Sequence, residues 1–278
     1  MSFASTYGPW AVVAGASDGV GEAFAQEVAR RGLDVVLIAR RRPLLESIAE
    51  RIERDTGAQT RVLAIDLATA GAADDVIAAT EDLDVGLLMY NAGGDPNWRP
   101  FLDNSLDDGL QMLHRNCAVP TQLCHHYGRS MVARGRGGII LVTSGAAVGG
   151  TANMAAYGGS KAWNRVFAEA LWAELEPHGV DVLSLLLGET DTPALRKLRA
   201  DLGNRDDPDA PLPNAVTVAE VVEDAITFLP DGPSRVVGQT VRDSLELLNQ
   251  YSRREIVELM TEGSRATMLP SGGPEPTG

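Results

Sequence analysis

Six short apolar runs, at residues 10–15, 34–39, 60–65, 85–90, 138–143 and 180–187, alternate with longer amphipathic stretches at 19–32, 43–56, 70–82, 106–133 and 154–177. This alternation constrains the fold more than any other feature. The short runs are apolar at nearly every position, as strands are when helices cover both faces of their sheet. Strand and helix in strict turn lead to a parallel, doubly wound α/β sheet, because a right-handed helical crossover is the common route between parallel neighbours. Ligands of such a sheet bind beyond the carboxyl ends of its strands.

The alternation stops after residue 188. Residues 189–216 hold the breakers Pro208, Pro211, Pro213 and Asn214 among acidic residues, with room for a short helix at 194–202. A loop this long in a compact domain is usually functional, so a substrate lid is expected here. Regular structure resumes with a helix at 218–228, a short strand at 236–241 and a helix at 243–263 that carries Leu245, Leu248, Tyr251, Ile256 and Leu259. A single domain over 1–265 is expected, followed by a flexible Pro/Gly-rich tail at 266–278.

Charge narrows the partners. A net charge of -14 repels nucleic acid and anionic membranes, so neither is expected. No apolar run approaches the roughly 18 residues of a spanning helix, and the first ten residues lack the basic and apolar regions of a signal peptide. A cytoplasmic protein is expected. Cys117 and Cys124 make no disulfide framework and read as reduced thiols, seven residues apart on one helix face. Cys124, His125 and His126 are adjacent on a helix and point in different directions, so no metal site is expected.

The first strand runs into Gly15-Ala16-Ser17-Asp18-Gly19-Val20-Gly21. Glycines here permit a tight strand-to-helix turn and leave bare N–H groups at a helix N-terminus, where a pyrophosphate would sit. The second strand ends at Ala39-Arg40-Arg41. A carboxylate at this tip would hold the ribose 2′-hydroxyl of NAD, and none is present. Two guanidiniums suit the 2′-phosphate of NADP instead. NADP(H) is therefore the expected preference, with NAD(H) as the alternative. Asp18, inside the glycine turn, works against that preference by repulsion.

The second constellation is Tyr157-Gly158-Gly159-Ser160-Lys161, with Ser144 thirteen residues before the tyrosine. Tyr157 and Lys161 stand at i and i+4 and share a helix face. A free tyrosine titrates near 10, and bringing it to about 7 takes roughly 4 kcal/mol. A fixed ammonium in a partly dry site supplies much of that. Tyr157 then serves as general acid or base on a substrate oxygen, and Ser144 hydrogen-bonds the same oxygen.

With these motifs in order, the sequence over about 9–242 resembles the short-chain dehydrogenases/reductases, in their shorter single-domain branch with a Rossmann-type fold. The matching residues are Ala14 to Gly21, Asp66-Leu67, Tyr90-Asn91-Ala92-Gly93, Asn116, Ser144, Tyr157 to Lys161, and Gly188 to Thr192. The resemblance implies hydride transfer between a nicotinamide and a carbonyl or secondary alcohol. It implies that Asp66 bonds the adenine amino group beside Leu67, and that Asn91, Ala92 and Gly93 line the cofactor. It further implies that Asn116 kinks its helix and holds a water relaying protons to Lys161. Lys161 would also bind the nicotinamide ribose, and Gly188, Thr190 and Thr192 would meet the nicotinamide end. A homotetramer or homodimer is implied as well, and Ala162, Val166, Ala170 and Ala173 permit close helix approach.

The chain departs from the family at Leu187, where proline is usual before Gly188, and at Ala14, where threonine is usual. Its last helix replaces a short Asp-Gly-Gly ending, and would cap the substrate site or pack on a neighbouring subunit. A small, fairly apolar carbonyl or alcohol is the expected substrate. A 3-oxoacyl thioester reductase is the rival of the same fold, with Arg196, Lys197 and Arg199 available to a carrier phosphate. A dinucleotide sensor without turnover is the rival of another class, but it would be free to lose Ser144, Tyr157 or Lys161.

Overall fold

The computed structural model describes residues 2–94, 97–207 and 209–269. A short helix α1 (Phe3–Tyr7) precedes β1 (Trp10–Ala14), α2 (Gly19–Arg30), β2 (Asp34–Ala39), α3 (Arg42–Thr56), β3 (Thr60–Ala64), α4 (Ala72–Ala78) and β4 (Val85–Tyr90). The second half runs α5 (Leu106–Leu113), α6 (Val119–Arg134), β5 (Gly137–Ser144), α7 (Ala155–Leu175), β6 (Val180–Leu187), α8 (Pro193–Asp201), α9 (Val218–Phe228), β7 (Ser234–Val236), α10 (Gln239–Leu248) and α11 (Arg253–Met268).

The seven strands form one sheet in the order β3-β2-β1-β4-β5-β6-β7, every pair parallel. The order reverses between β1 and β4, which opens a crevice at their carboxyl ends. Each sheet face buries its own apolar cluster. One holds Phe24, Val28, Leu45 and Ile226 from α2, α3 and α9, and the other holds Leu123, Tyr127, Met131 and Ala168 from α6 and α7. All six residues of the central β4 are buried, whereas the edge strand β3 is only half-buried. That difference is why the middle strands read as continuous apolar runs.

The expected helix at 106–133 is two helices. Between α5 and α6 the chain makes a π turn over His114–Ala118. Pro120 explains the break in part, since it has no N–H to give to the carbonyl four residues back, that of Asn116. The seven-residue spacing of the cysteines accordingly does not run along a plain helix. Cys117 lies in the π turn, half-buried, and Cys124 sits in the core, where burial pushes its thiol up to about 12. Both thiols are free.

The C-terminal third departs further. The expected strand at 236–241 is the three-residue β7, because Gly238 turns with a φ of 85° and α10 begins at once. The expected helix at 243–263 is two helices, and the second is set by a capping box between Ser252 and Glu255. It continues to Met268, which is buried, so helix occupies the start of the stretch expected to be a tail. Residues 270–278 and Pro208 lie outside the described residues. Among the described residues no helix is long and apolar enough to cross a membrane.

Candidate active site

The glycine turn after β1 is built by close approach. Gly15 has a φ of 88°, and a Cβ on Gly21 would run into the Gly15 carbonyl. Only glycine fits there, and the turn delivers α2 with its first amides bare, since Asp18 makes no capping bond. Asn91 Nδ2 donates to the Gly15 carbonyl at 3.4 Å, and the Ala92 backbone packs on Gly15. At the tip of β2, Arg40 and Arg41 are exposed, and Arg41 donates to Ser17 Oγ at 3.4 Å. Arg40 faces a separate cleft of about 240 Å3 shared with Arg99 and Arg115. Asp66 follows β3 and accepts from the Ala68 amide at 3.0 Å, with Leu67 buried behind it.

Ser144 closes β5 and caps the short turn Gly145–Ala147, accepting from the Ala146 amide at 3.2 Å. Tyr157 and Lys161 lie on the first turns of α7. The Lys161 ammonium is buried, donates to the Val142 carbonyl at 2.9 Å and stands 5.9 Å from the centre of the Tyr157 ring. Burial pushes its pKa down to about 8, and the Arg115 charge adds to the effect while Cys117 opposes it. At neutral pH the group still carries its charge, but with less margin than an exposed lysine.

Asn116 is fully buried in the π turn. Its Nδ2 donates to Ser160 Oγ at 2.9 Å and to the Gly93 carbonyl at 3.4 Å. Ser160 Oγ in turn donates to the Tyr157 carbonyl at 2.7 Å. The side chain of Asn116 thus ties the turn after β4 to the helix of Tyr157 and Lys161. Its backbone carbonyl accepts from Asn164 Nδ2 at 2.9 Å. A second carbonyl, that of Ser160 at 3.2 Å, fixes the orientation of the Asn164 amide. Asn164 Oδ1 is buried without a partner among the described residues.

These elements enclose a cavity of about 760 Å3. Asp18, Gly19, Val20, Asn91, Gly93, Ser144, Tyr157, Lys161, Gly188, Thr190 and Thr192 all line it. Gly15, Ser17, Gly21, Arg40, Arg41, Asp66, Leu67, Ala92 and Asn116 do not line it. Thr190 pairs with Val216 across the lid, and Thr192 caps α8 by accepting from the Leu195 amide at 3.2 Å. The rest of the wall combines the apolar Trp98, Val142, Met154, Leu187, Leu195, Leu198, Met260 and Met268 with the polar Thr143, Thr151, Glu189, Ser244, Ser264 and Thr267.

Trp98 was not among the residues expected to form the site, since a lone tryptophan in a Pro-rich loop gives no local signal of where it folds back. The last helix was expected to cap the substrate site or to pack on a neighbouring subunit, and α11 contributes Met260, Ser264 and Met268 to the cavity wall. Asn164 was also missed, because a single amide on a helix has no pattern. The basic residues of the lid were open to a carrier phosphate, yet each is paired within the lid. Arg196 holds Asp191 in two bonds of 2.6 Å, Lys197 holds Asp201 at 2.7 Å, and Arg199 holds Glu189.

A doubly wound sheet, a glycine turn at its switch point, and a tyrosine with a buried lysine in one cavity with a serine together define a class, and the sequence pattern of the short chain dehydrogenases matches residues 9–203. The chain belongs to the short-chain dehydrogenase/reductase family and is an oxidoreductase. It is 33% identical over 245 residues to a 7beta-hydroxysteroid dehydrogenase of Collinsella aerofaciens, covering 88% of this chain and 92% of that one. A solved 7beta-hydroxysteroid dehydrogenase superposes with a TM-score of 0.85 at 32% identity, over 94% of this chain and 99% of that one. A short-chain dehydrogenase from Sphingobium yanoikuyae in complex with NADPH superposes with a TM-score of 0.73 at 27% identity, over 87% and 94%.

Proposed function

We propose that the chain is a hydroxysteroid dehydrogenase that interconverts a ring hydroxyl and an oxo group, using NADP(H) in preference to NAD(H). The observation that carries this reading is the cavity of about 760 Å3, shared between the cofactor residues Asp18, Gly19 and Val20 and an apolar stretch of Met154, Leu195, Leu198, Met260 and Met268, with Ser144, Tyr157 and Lys161 among its polar residues. A pocket of that size and composition suits a bulky apolar ligand oriented by a few polar groups. The relatives named hydroxysteroid dehydrogenases support the same class.

The residues around the glycine turn fit a dinucleotide. The bare amides of α2 receive a pyrophosphate, and the missing Cβ atoms of Gly15 and Gly21 let the backbone of residues 91, 92 and 15 close in to form the turn that presents them. Arg40 and Arg41, exposed at the tip of β2, take the 2′-phosphate. Asp66 and Leu67 receive the adenine, Asn91 and Gly93 the ribose, and Gly188, Thr190 and Thr192 the nicotinamide end. The nicotinamide, when bound, supplies or accepts the hydride.

In the reductive direction Tyr157 Oη gives its proton to the carbonyl oxygen as negative charge develops there, and Ser144 Oγ donates a hydrogen bond to the same oxygen. In the oxidative direction Tyr157 takes the alcohol proton. The Lys161 ammonium favours the phenolate and holds a ribose hydroxyl. Asn116 and Ser160 fix the helix that presents both groups. The unpartnered acceptor of Asn164 beside the Asn116 carbonyl supports a water at this point of the proton path, since a buried acceptor left unmade is costly.

The thioester-reductase alternative draws no support from the lid, whose Arg196, Lys197 and Arg199 are held by its own carboxylates. The test is NADPH- and NADH-linked reduction of a 7-oxosteroid. Turnover with NADPH is expected, with Arg40→Ala weakening NADPH at least about tenfold and sparing NADH, since a charge-assisted pair is worth that much. Reduction of a 3-oxoacyl thioester but of no steroid would reject the substrate class. Equal binding of NADH and NADPH by the wild type would reject the cofactor preference.

A further inference from the structure

The cleft of about 240 Å3 at Arg40 opens beside the substrate cavity, and Met154 and Tyr157 line both, so the two share a wall. Its lining comes from the tip of β2, the loop after β4, α5 with the π turn, and the loop that enters α7. The charges on it are three guanidiniums, Arg40, Arg99 and Arg115, and one carboxylate, Asp108. That balance is the reverse of the whole chain's, whose net charge is -14. The lid arginines Arg196 and Arg199 are paired with carboxylates, whereas Arg40 and Arg99 make no ion pair among the described residues. Arg115 is fixed by donating to the Gly94 carbonyl at 3.0 Å and to Asn116 Oδ1 at 3.2 Å, and its charge reaches Lys161. Asn153 lines the cleft from a left-handed backbone with a φ of 66°, and its Nδ2 is buried without a partner among the described residues. A buried donor left unmade is costly, and like charges gathered in one cleft repel until a counter-charge enters.

We propose that this cleft is an oxyanion site, in which Arg40, Arg99 and Asn153 take a carboxylate or phosphate carried by a ligand of the neighbouring cavity. The proposal rests on the dehydrogenase reading for the identity of that ligand and goes beyond it in Arg99 and Asn153. The planar fork of Arg99 matches two oxygens of either group, and the Asn153 amide donates to one of them. One chemistry has two sources here: the 2′-phosphate of the cofactor, and an acidic substituent on the substrate. Asp108 offsets one of the three guanidiniums and leaves the cleft cationic.

The test measures dissociation constants by equilibrium dialysis for two matched pairs: NADPH with NADH, and a 7-oxosteroid bearing a side-chain carboxylate with its methyl ester. Wild type is compared with Arg99→Ala, Arg99→Lys and Asn153→Asp. Wild type is expected to bind the charged member of at least one pair about tenfold or more tightly than its partner, as a charge-assisted contact gives. Arg99→Ala, at an exposed position, removes most of that advantage and leaves the partner's Kd unchanged, and Arg99→Lys keeps part of it. Asn153→Asp sets a carboxylate in the cleft, with a residue type that tolerates the left-handed backbone, and weakens the same ligand. Loss on NADPH alone assigns the cleft to the cofactor phosphate, and loss on the acidic steroid alone assigns it to the substrate. Equal constants within both pairs for wild type, an advantage that Arg99→Ala leaves intact, or a loss equal on both members of each pair overturns the proposal. Dialysis needs no turnover, so the two readings fail separately. Reduction of the ester by wild type keeps the dehydrogenase reading when the site fails, and a charged ligand held through Arg99 with no steroid reduced keeps the site and rejects that reading.

Discussion

Lys161 shows what burial does to a functional charge. The pairing of Tyr157 with Lys161 was legible from the four-residue spacing, but the depth of the lysine was not, because burial is decided by β5 and the π turn that pack around it. Its folded pKa, about 8, lies below the 10.5 of an exposed lysine. Between these values the unfolded chain binds the proton and the folded chain does not, so stability from this group rises with pH across that window. Against Lys161→Met, wild type should gain about 3 kcal/mol of unfolding free energy between pH 7 and pH 10.5. Denaturant titrations of both proteins at several pH values measure it. A difference that stays flat with pH would mean that the lysine is solvated. Asn164 makes the complementary point: its contacts with Asn116 and Ser160 arise from the kink, and only Pro120 hints in the sequence that a carbonyl is left open there.

At the scale of elements, periodicity served well where helix and strand alternate and failed where the chain folds back on the site. The strands β1, β2, β4, β5 and β6 lie close to their expected positions because their apolar runs are bounded by glycine turns and helix caps. Helices α10 and α11 read as one, since the break at Asn249–Ser252 is a capping signal placed inside an apolar pattern. The lid holds more of its own structure than its breakers lead one to expect. Leu212 and Val216 are buried, the Leu212 amide donates to Asp191 at 3.0 Å, and Arg196 locks that aspartate. Helix α8 buries no residue of its own, so the lid should open around it. Amide hydrogen exchange at Pro193–Asp201 should be fast in the free protein and slow with cofactor and steroid together, whereas the stretch around Leu212 and Val216 is protected in both. Equal protection of α8 in the two states would remove the lid.

The whole molecule presents an apolar face that a lone chain leaves wet. Helix α5 is amphipathic yet buries none of its residues, and Leu106 and Leu110 are exposed beside Trp163 and Val166 of α7. Ala170 and Ala173 continue this face with small side chains. A patch of this kind marks an association surface, and a two-fold pairing of identical helices closes it. We infer a homodimer or homotetramer through α5 and α7. Light scattering at micromolar concentration should give two or four times the 29.5 kDa chain mass, and Leu106→Glu with Val166→Glu should reduce it to one. A wild-type mass of a single chain would exclude the assembly. Because α7 also carries Tyr157 and Lys161, the same helix would join subunit contact to chemistry. That chemistry is the central claim, and Tyr157→Phe tests it most directly by keeping the ring and removing the proton. Rates and NADPH dissociation constants of the purified variant, measured side by side with wild type, should show kcat reduced by about a hundredfold or more with cofactor affinity unchanged; turnover near that of wild type would contradict the account.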